Sequence, residues 1–461
     1  MKSKESTGSF APLPDELITE KLPTYLSISD LDNFMNTCLF FKTNVELEKN
    51  RNNKVIRYII QGDHHAIFIK KNGKAYGYGS NTFGQLGLGE KKSQSSIIEL
   101  AINTLERDAV IKRVISGSYH TLLHFNNGFV YGAGRNEYGQ LGLGTVSNKQ
   151  LEFIRLPINE LERGIGIKQI VAGNDFSLIL FENNAVYGTG YNTYGQIGRS
   201  SSGHWYESGF KKILVPLEDG VQIKRIYAGA CHTFFLLTNG LVYGLGRNDS
   251  NQHGIESTEN IFELTLILKD VQQIFPGAHH TLFLLNTGEV HGCGLNTYGQ
   301  LGLGDYEVRR RLTKLPIDEL EPGINIKQII TGFHTTLILF ANNAVYVCGN
   351  NDSGRLGAGK ETIRPNTFTR LTIPLEDSAC IEEICSQYDQ TFLRCKDGGI
   401  YMCGQKSLCH PGRFTPSFYR FEWIGNSANL EELFQSTEKE AEQYELECNQ
   451  ETQNTGECSL S

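Results

Sequence analysis

The sequence predicts a mainly β protein, a seven-bladed β-propeller. Three observations carry the prediction: a repeated Gly-Gln-Leu-Gly signature, glycine concentrated at hairpin turns, and half-units at both ends of the repeat region. The signature reads Gly84-Gln85-Leu86-Gly87, Gly139-Gln140-Leu141-Gly142, Gly195-Gln196-Ile197-Gly198 and Gly299-Gln300-Leu301-Gly302. Weaker copies are Asn251-Gln252-His253-Gly254 and Gly354-Arg355-Leu356-Gly357. Its second position advances by 55, 56, 56, 48 and 55 residues, and Gly404, 55 residues after Gly349, anchors a degenerate seventh copy. Self-similarity at that period marks a repeat architecture.

Each unit reads as antiparallel hairpins. Ile111-Lys112-Arg113-Val114-Ile115 leads into Gly117, Thr121-Leu122-Leu123 follows, and Asn127-Gly128 turns the chain into Val130-Tyr131-Gly132. Apolar and β-branched runs bounded by Asn-Gly and Gly are strand-and-turn signals. One unit cannot bury both its faces, so units must stack, and a closed ring removes the exposed sheet edges. At the ends, 54–60 reads as one half-unit and 418–423 as the other, which predicts one blade combining strands from both chain ends.

Composition excludes several classes. There are 49 glycines against 12 prolines without a three-residue period, which rules out collagen. The net charge of -8 argues against general nucleic-acid binding, which needs a basic surface. No apolar leader follows Met1 and no run reaches membrane-spanning length, so a reducing cytosolic compartment is expected.

The pattern Gly-x-x-His-Thr, then Gly-x-Val-Tyr-x-x-Gly, then Asn-x-x-Gly-Gln-Leu-Gly resembles the regulator-of-chromosome-condensation repeat over residues 51–425. The resemblance implies seven four-stranded blades and a protein partner, with a Ran-type small GTPase as one candidate. In exchange factors of that family the Gly-x-x-His turns present acidic and histidine side chains to the GTPase. The carry-over residues here are Asp63, Asp175 and His280, with His64, His279 and His334 on the same turns. The family's wedge insertion is absent from every repeat, so the resemblance separates binding from exchange catalysis.

Residues 10–50 form a separate predicted domain. Leu13-Pro14-Asp15-Glu16-Leu17, then Leu22, Leu26, Leu31, Phe34 and Cys38 at helical spacings, resemble an F-box. Such a box implies contact with the adaptor subunit of a cullin–RING ubiquitin ligase, through Leu13, Pro14, Glu16, Leu17, Leu22, Leu26 and Leu31. Residues 426–461 read as an acidic, flexible tail with nine glutamates. It ends Cys458-Ser459-Leu460-Ser461, a C-a-a-X box in which Cys458 is the prenylation candidate. Prenylation would place the protein on the cytoplasmic side of membranes. An F-box beside a prenylation box fits a eukaryotic protein or a bacterial effector delivered into a eukaryotic host.

No catalytic centre, cofactor or metal site is expected. Cys380, Cys385, Cys395, Cys403, Cys409 and His410 crowd the last repeat without a Cys-x-x-Cys pair, and Cys293, Cys348 and Cys403 share one strand register that suits small buried residues. Gly354-x-x-x-x-Gly359-Lys360 lacks the following Ser or Thr of a phosphate loop. His65, His120, His232 and His280 share one repeated position, read as hairpin histidines satisfied by backbone. The reading favoured by the sequence is an adaptor that couples a target held by the propeller to a ubiquitin ligase; the alternative is a regulator of a Ran-type GTPase.

Overall fold

The computed structural model describes residues 56–198, 205–375, 379–405 and 417–426. The predicted F-box residues and Cys458 lie outside them. The described chain forms seven four-stranded antiparallel sheets. In the first, β1 (Ile56–Gln61), β2 (His65–Lys70), β3 (Ala75–Gly79) and β4 (Gln94–Leu100) follow one another in order from the inside outward. The inner strands of the next five blades are β5 (Ile111–Ser116), β9 (Ile167–Ala172), β13 (Ile223–Ala228), β17 (Val271–Pro276) and β21 (Ile326–Thr331). The seventh blade is β25 (Ile381–Gln387), β26 (Gln390–Cys395), β27 (Gly399–Gln405) and β28 (Ser417–Asn426). Each inner strand packs against the next, and β25 packs against β1, so the seven blades form a closed ring.

Closure does not follow the expected route. Among the described residues no blade draws strands from both chain ends: β1 pairs with β2 and β28 with β27, each inside its own contiguous sheet. The half-units at the two ends were each the first or last strand of a whole blade. The ring is instead joined by side chains. Phe68, Ile56, Ile59 and Tyr78 of the first blade share one buried cluster with Phe392, Ile400 and Met402 of the seventh. The Cys385 thiol donates to the Ile59 carbonyl at 3.2 Å across the same seam.

The second strand of each blade is buried along its whole length or nearly so, as in His65–Lys70 and Phe176–Phe181. Strands covered on both faces lose the polar alternation of a half-exposed sheet. That is why Phe-Ser-Leu-Ile-Leu-Phe reads as an apolar run rather than an alternating one. Every inner strand opens with a register shift after its first residue, for example between Ile111 and Arg113 and between Ile223 and Arg225. A bulge of this kind re-aims one side chain without ending the pairing.

Candidate partner-binding face

The turn between the first and second strands gathers at one end of the ring axis. Gly62 N–H donates to the His65 carbonyl at 2.8 Å, and Gly117, Gly173, Gly229, Gly277 and Gly332 repeat the bond three residues on. Glycine is required here by close approach. A Cβ on Gly117 would lie 2.2 Å from the His120 ring and 2.6 Å from the Gly173 carbonyl of the next blade. These turns surround an axial cavity of about 150 Å³ whose lining includes Gln61, Ser118, Asn174, Ala230, Ala278 and Phe333. That is well below the roughly 300–1,000 Å³ of small-molecule sites.

The repeated histidines are structural. His65 Nε2 lies 2.9 Å from Thr121 Oγ1 of the next blade, and that hydroxyl donates to the Gln85 carbonyl at 2.7 Å. His120 with Ser177 and Gln140, and His280 with Thr336 and Gln300, repeat the arrangement. Because the hydroxyl's proton is committed to the carbonyl, it accepts from the imidazole, which fixes the proton on Nε2. The partner is therefore a side chain of the neighbouring blade and not backbone, as the sequence suggested. Burial holds His65, His120 and His280 at about 3, as neutral rings. His280, carried over as a partner contact, is fully buried in this seam and does not reach the face.

The residues one position earlier behave differently. His64, His279 and His334 join one line of aromatic contacts. His64 meets Tyr388 at 4.9 Å, Tyr388 meets Phe333 at 5.5 Å, and Phe333 and His279 both meet His334, at 4.6 and 5.5 Å. In the other direction His64 stacks on Tyr119 at 5.0 Å, and Tyr119 meets Phe83 at 5.1 Å. Arg135 then lies over both Phe83 and Tyr138, and Tyr138 meets Tyr191 and the half-exposed Trp205 at 5.1 and 5.3 Å. Tyr191 meets Tyr194, over which Arg247 lies at 5.2 Å. The belt thus draws on all seven blades.

Asp63 and Asp175 sit within this belt on unlike terms. Asp63 is buried and accepts from the Ser118 hydroxyl. Asp175 pairs with Arg135 at 3.4 Å and accepts from Gln140 at 3.1 Å, while burial pushes its carboxyl up to about 6. Asp389 pairs with Arg355.

The aromatic positions of the belt were missed in the sequence. Phe83, Tyr138, Tyr194 and Tyr298 all precede the glycine of the Asn-x-x-Gly-Gln turn. The surrounding Asn and Gln brace that turn: Asn81 Oδ1 accepts from Leu86 N–H at 2.9 Å, and Gln85 Oε1 from Phe83 N–H at 3.1 Å. Tyr138 and Gln140, and Leu141 and Asn136, repeat both bonds. The motif is a loop braced by its own Asn and Gln oxygens that holds an aromatic side chain on the face; the Gln85, Gln196 and Gln300 amide nitrogens are buried without a hydrogen-bond partner among the described residues. The four-fold recurrence of Phe or Tyr in one slot was the available signal. Cys293, Cys348 and Cys403 are buried strand residues. Among the described residues no group of three metal-capable side chains comes together.

Comparison with known proteins agrees with this geometry. Residues 61–85, 167–196, 223–252 and 271–300 match the Regulator of chromosome condensation (RCC1) repeat, and 127–180 match a second description of the same repeat. A Dictyostelium discoideum bifunctional serine/threonine-protein kinase/NEDD4-like E3 ubiquitin-protein ligase is 28% identical over 43% of this chain. The dog X-linked retinitis pigmentosa GTPase regulator is 36% identical over 32%, and the human probable E3 ubiquitin-protein ligase HERC6 31% identical over 44%. The alignments span 11%, 14% and 19% of those relatives' own lengths. Yeast RCC1 (Prp20), solved bound to Kap60, superposes with a TM-score of 0.66 at 20% identity, covering 84% of this chain and 92% of that one. Prp20p from Saccharomyces cerevisiae alone gives 0.67 at 22% identity, covering 80% and 90%. The described chain is therefore a seven-bladed β-propeller that carries regulator-of-chromosome-condensation repeats within residues 61–85, 127–196, 223–252 and 271–300.

Proposed function

We propose that this propeller is a protein-docking module whose turn face takes a Ran-type small GTPase. The observation that carries the reading is the belt of Tyr, Trp, His and Arg side chains around the axis. Interface hot spots are enriched in Trp, Tyr and Arg, and rigid aromatics lose little entropy on binding. The acidic groups Asp175, Asp389, Glu137 and Asp249 alternate with Arg135, Arg247 and Arg355, a pattern that selects a partner by charge as well as shape. A solved relative is described by its binding to Gsp1p and histones, and another relative is named a GTPase regulator, which supports the choice. The test is binding of a purified Ran-type GTPase to the full chain by calorimetry. Trp205→Ala with Tyr138→Ala should weaken it by about tenfold or more. Absence of binding by the unaltered chain overturns the reading.

A second reading rests on Leu13-Pro14-Asp15-Glu16-Leu17 and Cys458. In it the F-box recruits a ubiquitin-ligase adaptor and cullin, the propeller chooses the target, and the prenyl group sets the membrane. The ubiquitin-ligase names among the relatives support it, and the two readings are compatible if the GTPase is the target.

A further inference from the structure

The opposite end of the axis has a different chemistry. The inner-strand bulges place Arg57, Lys112, Lys168, Lys224, Gln272, Lys327 and Glu382 at one equivalent level around the ring. Arg113 and Arg225 lie one residue further in. Both acids at these levels, Glu382 and Glu383, are already held by Arg394. The lysines reach around the ring to backbone carbonyls and not to carboxylates: Lys168 Nζ to Ile223 O at 2.8 Å, Lys224 to Gln272 O at 3.3 Å and Lys327 to Ile381 O at 2.6 Å. Carbonyls satisfy a donor without forming an ion pair, and the acid that acts on Lys112 and Lys168 is Glu182. Burial holds Lys112, Lys168 and Lys327 below the ordinary lysine value; Arg113 depresses Lys112 further and Arg225 depresses Lys168, with Glu182 offsetting both. A chain of net charge -8 thus carries a concentrated cationic ring at one end of its axis.

The strand pairing shows where the last described strand ends relative to that ring. Ile381 pairs with Cys395, and Gly399 pairs with Asn426. The last strand therefore ends at the same end of the blade at which the inner strand begins. Three strand spacings, about 14 Å, separate β28 from β25. Residues 427–461 follow directly, with nine glutamates and a single lysine, Lys439. A few extended residues, at about 3.3 Å each, cross that distance. A tethered segment meets its site at an effective concentration of order millimolar, so even a weak electrostatic contact is populated.

We propose that the acidic segment 427–461 docks in cis on this cationic ring and shields it from other polyanions. The proposal is independent of what the turn face binds. In the full chain, zero-length carbodiimide coupling joins carboxylates to ammonium groups that touch. Tail glutamates should couple to Lys112, Lys168, Lys224 or Lys327 in preference to the exposed Lys91, Lys92 and Lys360. The preference should be on the order of tenfold at low salt and vanish at 1 M salt, where screening acts within about 3 Å. Replacing Lys112, Lys168 and Lys224 by Gln should speed Glu-specific proteolysis of the tail by about tenfold, with melting recorded alongside. A second variant leaves the ring intact and replaces Glu438, Glu440, Glu442 and Glu445 by Gln; it should lose the ring cross-links without altered melting. Even coupling to outer lysines, or equal tail cleavage in all chains, overturns the proposal. So does a ring whose lysines are protected only when inositol hexakisphosphate is added, which would assign it to an external polyanion.

Discussion

Phe68 of the first blade and Phe392 of the seventh meet edge to face, with ring centroids 5.7 Å apart and planes at 90°. The pair lies in the seam that closes the ring, where no strand is shared. Both rings are fully buried. Phe392→Ala should cost about 3–5 kcal/mol in denaturant unfolding. Hydrogen exchange should rise first in β1, β2, β25 and β26. Uniform loss of protection around the ring would show that the seam is no weaker than the other joints.

The hydroxyl relay gives a second test. Thr121→Val keeps the shape but removes the group that bridges His65 and the Gln85 carbonyl. Stranding a buried donor and acceptor costs about 1–3 kcal/mol. The first blade has Ala66 where the others carry Thr or Ser, so Ala66→Ser should change stability far less than Thr121→Val. Equal effects in a melting comparison would dismiss the relay as a stabilising contact.

The buried histidines set an acid limit. His65, His120 and His280 sit near 3 in the folded chain against about 6.5 unfolded. The unfolded state therefore binds more protons below pH 6.5, and stability falls as pH drops from there toward 3. Each contributes on the order of 1 kcal/mol per pH unit in that window. Asp175, raised to about 6, acts in the opposite sense between 6 and its unfolded value near 4. A melting series from pH 7 to 4 should slope downward, and His120→Gln with His280→Gln should flatten it. A level series in the unaltered chain would contradict the assignment.

The flanks make separable predictions. Leu13→Ala with Pro14→Ala should abolish co-purification of the ligase adaptor from eukaryotic cytosol while leaving the melting temperature unchanged. Cys458→Ser should move the protein from the membrane fraction to the soluble one. An unaltered chain that is already wholly soluble would exclude the lipid anchor.

The ring was legible because its signature residues do backbone work. Asn81, Gln85, Gly84 and their copies are fixed by one loop's own hydrogen bonds, so they recur in every blade that keeps the loop. The location of the joint was not legible. Residues 54–60 and 418–423 look like halves because an inner and an outer strand carry different patterns, and sequence does not say which sheet each extends. The site was half legible: the turn positions came from the repeat, but His279 and His280 are adjacent letters with opposite environments. His279 is the last residue of the turn, with its side chain on the face, and His280 opens the strand, with its side chain in the seam. Net charge hid the rest, since Lys112, Lys168 and Lys224 are diluted by acidic residues elsewhere in the chain.

Because every blade is one uninterrupted stretch of chain, the ring has no privileged blade. Among the described residues the closing joint is made by side chains, and a joint of that kind can be re-formed between blades whose facing surfaces match. Duplication or loss of a whole repeat, or relocation of the chain break to another blade boundary, leaves each sheet's hydrogen bonding intact. The architecture can thus change its number of repeats or its starting point without rethreading a strand, while each blade's face residues vary on their own.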